Sequence, residues 1–389
     1  MRRIAAVTAA ATVVLATGCG REKDRKSEKS PAPPAGEKPA PPPAGEKPAP
    51  PAESRKPPGD IMWEEVTIAM GNRSFGGTLS GPKVAKPGGA GILLIAGSGP
   101  TDRDWNSPAL PGGNGSGRLI AEALARKGIV VLRYDKTTSA KNPPPPDMTY
   151  DIFRDEARAA LAFLRARPEV AGAPIFVAGH SEGGIQALRV ALEEKDLAGV
   201  ILLSSAGRRV ADLMLGQLES QFQEAVKNKL MPQAAADKEL GPLRSGFADF
   251  IAGKEVDPMK MSSIPAVQQL LMPIMSPRAA PIGRPWATFD PAAAIAVVAP
   301  PVLILNGDKD AQVDPELDAR RLEKAGKAAG KSVYLVIVRD ANHVYKQETR
   351  SMSEIRAHLA EATNLSYNKE GVPLAPELVP SIVAWIAVL

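Results

Sequence analysis

A serine at the centre of a glycine-rich turn is the first residue of this sequence whose setting points to chemistry. Residues 179–183 read Gly-His-Ser-Glu-Gly, which fits the pattern G-x-S-x-G around Ser181. An apolar stretch at 175–178 precedes the turn, and apolar residues at helical spacing follow Gly184. We therefore predict a strand, a sharp turn and a helix, an arrangement that raises the serine hydroxyl above the end of the strand. The alternative is an ordinary glycine-rich turn that happens to carry a serine.

A serine hydroxyl is a poor nucleophile unless a base takes its proton, and histidine is the obvious base. The chain contains three histidines. His180 adjoins the serine, but neighbouring residues on such a turn point in different directions. His358 lies in a segment with helical spacing, where exposure on a helix face is the simpler interpretation. His343 follows the last predicted strand, in a loop at its carboxyl end, and is therefore the predicted base.

A base of this kind needs an acidic group that holds its tautomer. The predicted strand 301–306 is followed by two aspartates. Asp310 lies deeper in the loop and is the predicted partner of His343, whereas Asp308 is expected to organise the turn. Ser181, Asp310 and His343 together predict covalent catalysis by the serine hydroxyl. No cluster of histidine, cysteine and acidic residues has the spacing of a metal site, so we expect neither a metal nor another cofactor.

The elements that must position these residues alternate between short apolar strands and helices. The predicted strands are 62–70, 74–81, 91–96, 129–134, 175–178, 200–204, 301–306 and 332–338, and the predicted helices include 117–127, 151–167, 315–329 and 376–388. Such alternation is typical of an α/β fold with a doubly wound, mostly parallel sheet. Residues 208–288 break the pattern and predict a helical cap, inserted between two parts of the core at 61–207 and 289–389.

The charge of the chain is concentrated at its N-terminus. Of the formal net charge of +5, residues 1–60 contribute +4, from 11 Lys/Arg and 7 Asp/Glu. The predicted folded part is therefore nearly neutral, which argues against a nucleic-acid partner. The single cysteine, Cys19, precedes the folded part, so we expect no disulfide to stabilise the fold.

Residues 1–19 resemble a bacterial lipoprotein signal. Two arginines precede an apolar run that is too short to span a bilayer comfortably, and small residues lead to Cys19. The resemblance implies cleavage and lipidation at Cys19, and a plain secretory signal is the alternative. Residues 20–60 are a predicted tether, in which PAGEKPAPP at 34–42 is repeated at 43–51. We expect an exported protein, lipid-anchored to a membrane of the bacterial cell envelope in the periplasm or on the outer surface.

The chain from about 61 to 389 resembles the α/β-hydrolase superfamily. Three motifs carry the resemblance, namely GHSEGG, GDKDAQVD and ANH, each after a predicted strand and in the serine, acid, histidine order of that superfamily. A further segment, GSGPTDRD at 97–104, resembles the GSGPxDRD signature of a bacterial esterase-like branch. The resemblance implies that the backbone N–H groups of Ser98 and Glu182 form the oxyanion hole.

The same resemblance suggests roles for residues around the predicted site. Residues 102–104, Asp-Arg-Asp, are expected to form an ionic brace, and a direct substrate contact by Arg103 is the alternative. At 137–138 two threonines stand where the branch often has Arg-Gly, so we expect a loop of different shape. Trp286 and Phe289 resemble the segment that re-enters the main domain after the cap, where they would line an acyl pocket or pack against the cap.

The function that this resemblance implies is hydrolysis of carboxylic esters, with short acyl chains, through an acyl-enzyme intermediate. The expected partner is a small-molecule ester. The same residues would also serve a peptidase, a thioesterase or an acyltransferase, because substrate choice depends on the cap. A different class of protein, a catalytically silent binding lipoprotein held on the tether, remains a second hypothesis.

Overall fold

A computed structural model describes residues 58–84, 89–108, 112–139, 141–357, 367–369 and 371–389. The predicted signal at 1–19, with Cys19, lies outside the described residues, and so do His358 and nearly all of the tether predicted at 20–60.

The described chain is built around one eight-stranded sheet, with the strand order β1-β2-β4-β3-β5-β6-β7-β8. The strands are β1 (Ile61–Met70), β2 (Arg73–Pro82), β3 (Gly91–Ile95), β4 (Val130–Tyr134), β5 (Ile175–His180), β6 (Gly199–Leu203), β7 (Val302–Gly307) and β8 (Val333–Val338). β2 runs antiparallel to its neighbours β1 and β4, and all other pairs are parallel. The predicted α/β class with a mostly parallel sheet is therefore confirmed.

Helices cover both faces of this sheet, and a further group of helices packs through an apolar cluster of its own. The helices are α1 (Ser116–Arg126), α2 (Ile152–Arg165), α3 (Glu182–Glu193), α4 (Val210–Lys227), α5 (Gln233–Ile251), α6 (Pro258–Met261), α7 (Pro265–Met275), α8 (Ala280–Thr288), α9 (Pro291–Ile295), α10 (Arg320–Ala328), α11 (Met352–Ala357) and α12 (Leu378–Ile386). None of the described helices combines the length and apolarity that are needed to cross a membrane.

The central strands are buried along their whole length because helices pack on both of their faces. β3, β5, β6 and β7 are buried at every position, which explains their continuous apolar sequences. On one face α2, α3, α9 and α10 pack against the sheet, and on the other face α1 and α12 do so. Because β5, β7 and β8 run parallel to one another through β6, their carboxyl ends lie at the same edge of the sheet, where the site residues follow them.

Helices α4 to α8 lie between β6 and β7 in the chain, within the segment 208–288 in which the sequence predicts a cap. They pack on one another through their own apolar cluster, which contains Phe222, Phe247 and Phe250. Ile185 of α3 and Tyr150 from the loop before α2 belong to the same cluster. The cap therefore shares its core with the helix that follows the sharp turn at Ser181, which we call the elbow.

Two elements differ from their predicted bounds for reasons that lie elsewhere in the chain. The predicted helix 315–329 begins as a π-helical turn at Pro315–Ala319, and only then continues as α10. This turn carries the buried Asp318, whose carboxylate pairs with Arg208 at 2.7 Å at the start of the cap. The helix after the elbow already begins at Glu182, because two glycines in its first turn fit against neighbouring backbone and side chains.

Candidate active site

Ser181 lies at the sharp turn between β5 and α3, in a strained backbone conformation. Its φ is 54° and its ψ is −119°, in a region that costs a non-glycine residue about 1–3 kcal/mol. The flanking glycines permit this turn: a Cβ on Gly183 would lie only 2.5 Å from the carbonyl oxygen of Ile95, and a Cβ on Gly179 would overlap the backbone of Gly183. The pattern G-x-S-x-G thus folds as the predicted elbow because no side chain fits at either glycine.

Asp310 and His343 form a buried pair at the ends of β7 and β8. His343 Nδ1 lies 2.8 Å from Asp310 Oδ2, and the two residues are 5% and 1% exposed. The second oxygen, Asp310 Oδ1, accepts the backbone N–H groups of Gln312 and Val313, each at 2.9 Å. An ionised carboxylate only accepts hydrogen bonds, so the proton of the pair belongs to His343 Nδ1. His343 Nε2 then keeps a free lone pair, as a general base requires.

The turn after β7 is held by Asp310 and not by Asp308, which corrects the sequence-based expectation for Asp308. The Asp308 carboxylate lies 3.5 Å from Lys309 Nζ. The backbone N–H of Asp308 donates a hydrogen bond to the carbonyl oxygen of Val338. Asp310 is favoured for the turn because its carboxylate faces the two backbone N–H groups that follow it. One side chain therefore both shapes the loop and orients His343.

His180 connects the elbow to the loop that carries His343. Its Nε2 donates to the backbone carbonyl oxygen of His343 at 2.9 Å, and the two rings lie 4.7 Å apart. Trp105 stacks on His180 at a ring distance of 4.2 Å. Burial, together with the neighbouring His343, holds the pKa of His180 well below its usual value. His180 is therefore a neutral ring that joins the segments of Ser181 and His343.

The loop after β3, which carries Gly97 and Ser98 and which we call the oxyanion loop, packs directly against the elbow. A Cβ on Gly97 would lie 3.0 Å from His180 Nδ1 and 3.3 Å from Ser181 Cβ. Ser98 and Ser181 line the same cavity. Glu182 is the first residue of α3, so its backbone N–H has no acceptor within the helix. The two residues that the sequence predicts as oxyanion donors thus line the same cavity as Ser181.

Two side chains from the loop after β4 fasten this segment in place. Lys136 Nζ donates to the carbonyl oxygen of Gly99 at 2.7 Å, and Thr138 Oγ1 donates to the same oxygen at 3.0 Å. Burial lowers the pKa of Lys136. Thr138 has a φ of 81°, a left-handed conformation that favours glycine. Threonine thus stands at a position whose backbone favours glycine, and its hydroxyl makes a hydrogen bond to Gly99 that a glycine could not make.

The Arg103 side chain forms ion pairs with Asp135 and Glu65 and does not line the cavity. It is 8% exposed, and its guanidinium contacts Asp135 at 2.6 Å and Glu65 at 2.6 Å. Asp102 accepts backbone N–H groups within its own turn, and Asp104 pairs with Arg133. This geometry fits the ionic brace and leaves the guanidinium no direct route to a substrate.

A small cavity of about 40 Å³ opens beside Ser181. Residues from the oxyanion loop, the elbow, the cap and the loop of Asp310 line it: Ser98, Ser181, Glu182, Ile185, Val210, Leu213, Met214, Gln217, Trp286, Gln312 and Val313. Trp286 lies in this wall and also belongs to the apolar cluster of the cap. Phe289 does not line the cavity, because it packs between the apolar core of the sheet and that of the cap. In the part of the chain that the structure describes, no group of three His, Cys, Asp or Glu side chains could hold a metal ion.

Comparison with known proteins places this chain in a family. Residues 92–348 match the Alpha/beta hydrolase family, which is about two thirds of the chain, so the protein belongs to that family. It is also similar to the esterase EstD of Thermotoga maritima, with 32% identity over 142 residues, which cover 35% of this chain and 33% of that protein. The matched segment thus spans about a third of the length of this relative.

Solved structures with a similar outline differ strongly in sequence. The proline iminopeptidase of Mycobacterium smegmatis is 18% identical, with a TM-score of 0.47 over 77% of this chain and 97% of the other. Est1E of Butyrivibrio proteoclasticus is 16% identical, with a TM-score of 0.46 over 84% of this chain and 99% of the other.

The sequence did not predict the contacts of three residues that the structure brings to the site. Lys136 and Thr138 fasten the oxyanion loop, and His180 links the elbow to His343. A signal was available for Lys136, since a cation directly after a buried strand needs a polar partner. No such signal existed for His180, because its partner His343 is 163 positions away in the chain.

Proposed function

We propose that this protein is a serine hydrolase that cleaves small carboxylic esters through an acyl-enzyme. The observation that carries the proposal is the buried pair of Asp310 and His343 at 2.8 Å, joined through His180 to the strained elbow of Ser181. A nucleophile, a base and an orienting acid on three strand ends are the parts that this chemistry needs. The name of the 32% identical relative, an esterase, supports esters as the substrate class.

In the proposed mechanism, His343 Nε2 takes the proton of the Ser181 hydroxyl while the oxygen attacks the ester carbonyl. The backbone N–H groups of Ser98 and Glu182 stabilise the negative charge that develops on the carbonyl oxygen. The protonated His343 then gives its proton to the departing alcohol, and Asp310 stabilises the positive ring. Water, activated by the same histidine, releases the acid and restores the serine.

The size of the cavity supports short acyl chains. At about 40 Å³ it is far smaller than the roughly 300–1,000 Å³ of a typical small-molecule pocket. Leu213 and Met214 from α4 and Trp286 from α8 close it from the side of the cap. A long acyl chain would need these cap helices to move.

A panel of p-nitrophenyl esters, from acetate to dodecanoate, tests the proposal on the full chain beside Ser181→Ala. We expect kcat/KM to peak at the shortest chains, and Ser181→Ala to lose roughly 10⁴- to 10⁶-fold in turnover. Activity that rises with chain length would contradict the short-chain preference. A folded protein without activity on any ester would favour a peptidase, a thioesterase, an acyltransferase or the silent binding lipoprotein, and thioesters and aminoacyl amides would then separate these.

We further propose that the hydrolase is exported and anchored through a lipid on Cys19. The chain's only cysteine follows an apolar run and small residues, where a lipoprotein signal needs it. The proline-rich repeats after it favour an extended chain, with a reach of up to about 90 Å. Incorporation of labelled palmitate into the wild type but not into Cys19→Ser is expected. Equal labelling of both, or of neither, would contradict the anchor.

A further inference from the structure

Among the residues that the structure describes, Glu182 is the only one in the wall of the cavity beside Ser181 with an acidic or basic side chain. The other wall residues are apolar or carry neutral polar groups, as Gln217 and Gln312 do. Glu182 follows the serine directly, so a substrate that reaches the serine passes close to it. Its side chain serves no step of the mechanism proposed above, since the oxyanion hole uses only its backbone N–H.

The carboxylate of Glu182 has no hydrogen-bond or ion-pair partner among the described residues, although it is half-buried. Two cations lie near enough to act on it, since Lys136 and Arg189 oppose the rise in the pKa of Glu182 that burial causes. Both are bonded elsewhere. Lys136 donates to Gly99 and Thr138, and Arg189 donates to Asp151 and Gln186.

A half-buried carboxylate that accepts no hydrogen bond from the described residues keeps both oxygens available to a donor that enters the cavity. The walls next to Glu182 include the apolar side chains of Ile185, Leu213 and Met214. Apolar walls weaken screening, so a charge that enters the cavity interacts with the carboxylate more strongly than it would in water. The cavity therefore offers one negatively charged hydrogen-bond acceptor beside the reacting serine.

We propose that the Glu182 carboxylate determines specificity, by favouring esters whose acyl group carries a protonated amine and disfavouring those that carry a carboxylate. The inference rests on the proposed ester hydrolysis and names its substrate class. Aminoacyl esters are the smallest members of that class, and a cavity of about 40 Å³ favours small acyl groups. The ammonium group would donate the hydrogen bond that the carboxylate lacks within the chain.

Three small esters with different charge test this inference: methyl propanoate, alanine methyl ester and monomethyl malonate. Their hydrolysis is followed by titration of released acid at about pH 6.5, where an α-amino group is largely protonated. The variants are Glu182→Gln and, as a matched control, Glu219→Gln, which removes one carboxylate on α4 that pairs with Arg244 outside the cavity. Ratios of kcat/KM within each protein cancel differences in the intrinsic reactivity of the esters.

We expect the alanine-to-propanoate ratio to fall about tenfold in Glu182→Gln, since a charged hydrogen bond is lost. The malonate-to-propanoate ratio should rise, and Glu219→Gln should keep both wild-type ratios. Unchanged ratios in a Glu182→Gln protein that still hydrolyses methyl propanoate would overturn the inference alone. A wild type that hydrolyses none of the three esters would instead reject the proposed ester hydrolysis.

The wild type decides the question if Glu182→Gln does not fold. Its ratio of kcat/KM for alanine methyl ester to kcat/KM for methyl propanoate is divided by the ratio of the rate constants for hydrolysis by hydroxide. We expect this corrected ratio to be about ten. A corrected ratio near or below one would overturn the inference.

Discussion

Replacing Asp310 by asparagine should disable the base without disturbing the loop. The Asp310 carboxylate accepts three N–H groups, from His343, Gln312 and Val313. An asparagine has one acceptor oxygen and one donating NH₂ group. If its oxygen faces the two backbone N–H groups, both of those hydrogen bonds survive and the NH₂ group faces His343 Nδ1. The reverse orientation loses two buried hydrogen bonds, which costs about 2 kcal/mol or more.

The favoured orientation reverses the tautomer of His343. Its Nδ1 must then accept from the amide, so Nε2 carries the proton and cannot take one from Ser181. A reversed tautomer of this kind lowers kcat by about 10⁴-fold in a serine protease. We therefore expect Asp310→Asn to lose about 10³- to 10⁴-fold, equivalent to about 4 to 5.5 kcal/mol in the barrier.

The assay is kcat/KM on p-nitrophenyl acetate, with a denaturant melt to show that the fold is kept. Asp308→Asn is the matched control, because it makes the same change two residues earlier and its carboxylate contacts Lys309 and not the histidine. It should stay within about threefold of the wild type, as a substitution outside the reacting groups does. The reasoning is refuted if Asp308→Asn is the more damaging change, or if Asp310→Asn keeps more than about a tenth of the activity.

Three further predictions follow from the packing around the elbow. Gly97→Ala should lower kcat/KM by about 10²-fold, since its Cβ would lie 3.0 Å from His180 Nδ1 and displace the oxyanion loop; kinetics on p-nitrophenyl acetate check this. Thr138→Gly should change the free energy of unfolding by less than about 1 kcal/mol, because relief of the left-handed backbone offsets the lost hydrogen bond. Thr138→Ala should lower it by about 1–2 kcal/mol, and urea melts in which Thr138→Ala is more stable than Thr138→Gly would contradict this. The folded-state pKa of His180 lies below its unfolded value, so the unfolded chain binds more protons in acid and stability falls as the pH drops below about 6.5. Melts of wild type and His180→Gln between about pH 7 and 5 should show a shallower fall in the variant, and equal slopes would contradict the assignment.

The fold could be predicted well wherever local pattern and burial agree. The strands β3, β5, β6 and β7 are continuous apolar segments, because both faces of each are covered, and the predicted bounds differ from the observed ones by at most two residues at either end. The sequence could predict that the site residues lie close together, because each follows a strand and parallel strands end at a common edge of the sheet.

Other features depend on contacts between distant parts of the chain, which no local pattern reveals. The π-helical turn at Pro315–Ala319 is tied to the pair of Asp318 and Arg208, which are 110 positions apart. Phe289 packs between two apolar cores and not in the cavity, because the path of the chain after the cap decides which way it faces. The unpartnered carboxylate of Glu182 likewise becomes visible only when the cavity walls are known.

Covalent labelling of Ser181 tests the central claim most directly. The full chain is treated with a fluorophosphonate, which reacts with serines that an adjacent base activates, and the modified peptide is located by mass spectrometry. We expect one modification, on the peptide that contains Ser181, with no labelling of Ser181→Ala and slow labelling of His343→Gln. A folded wild type that stays unlabelled, or that is labelled on another serine, would contradict the claim.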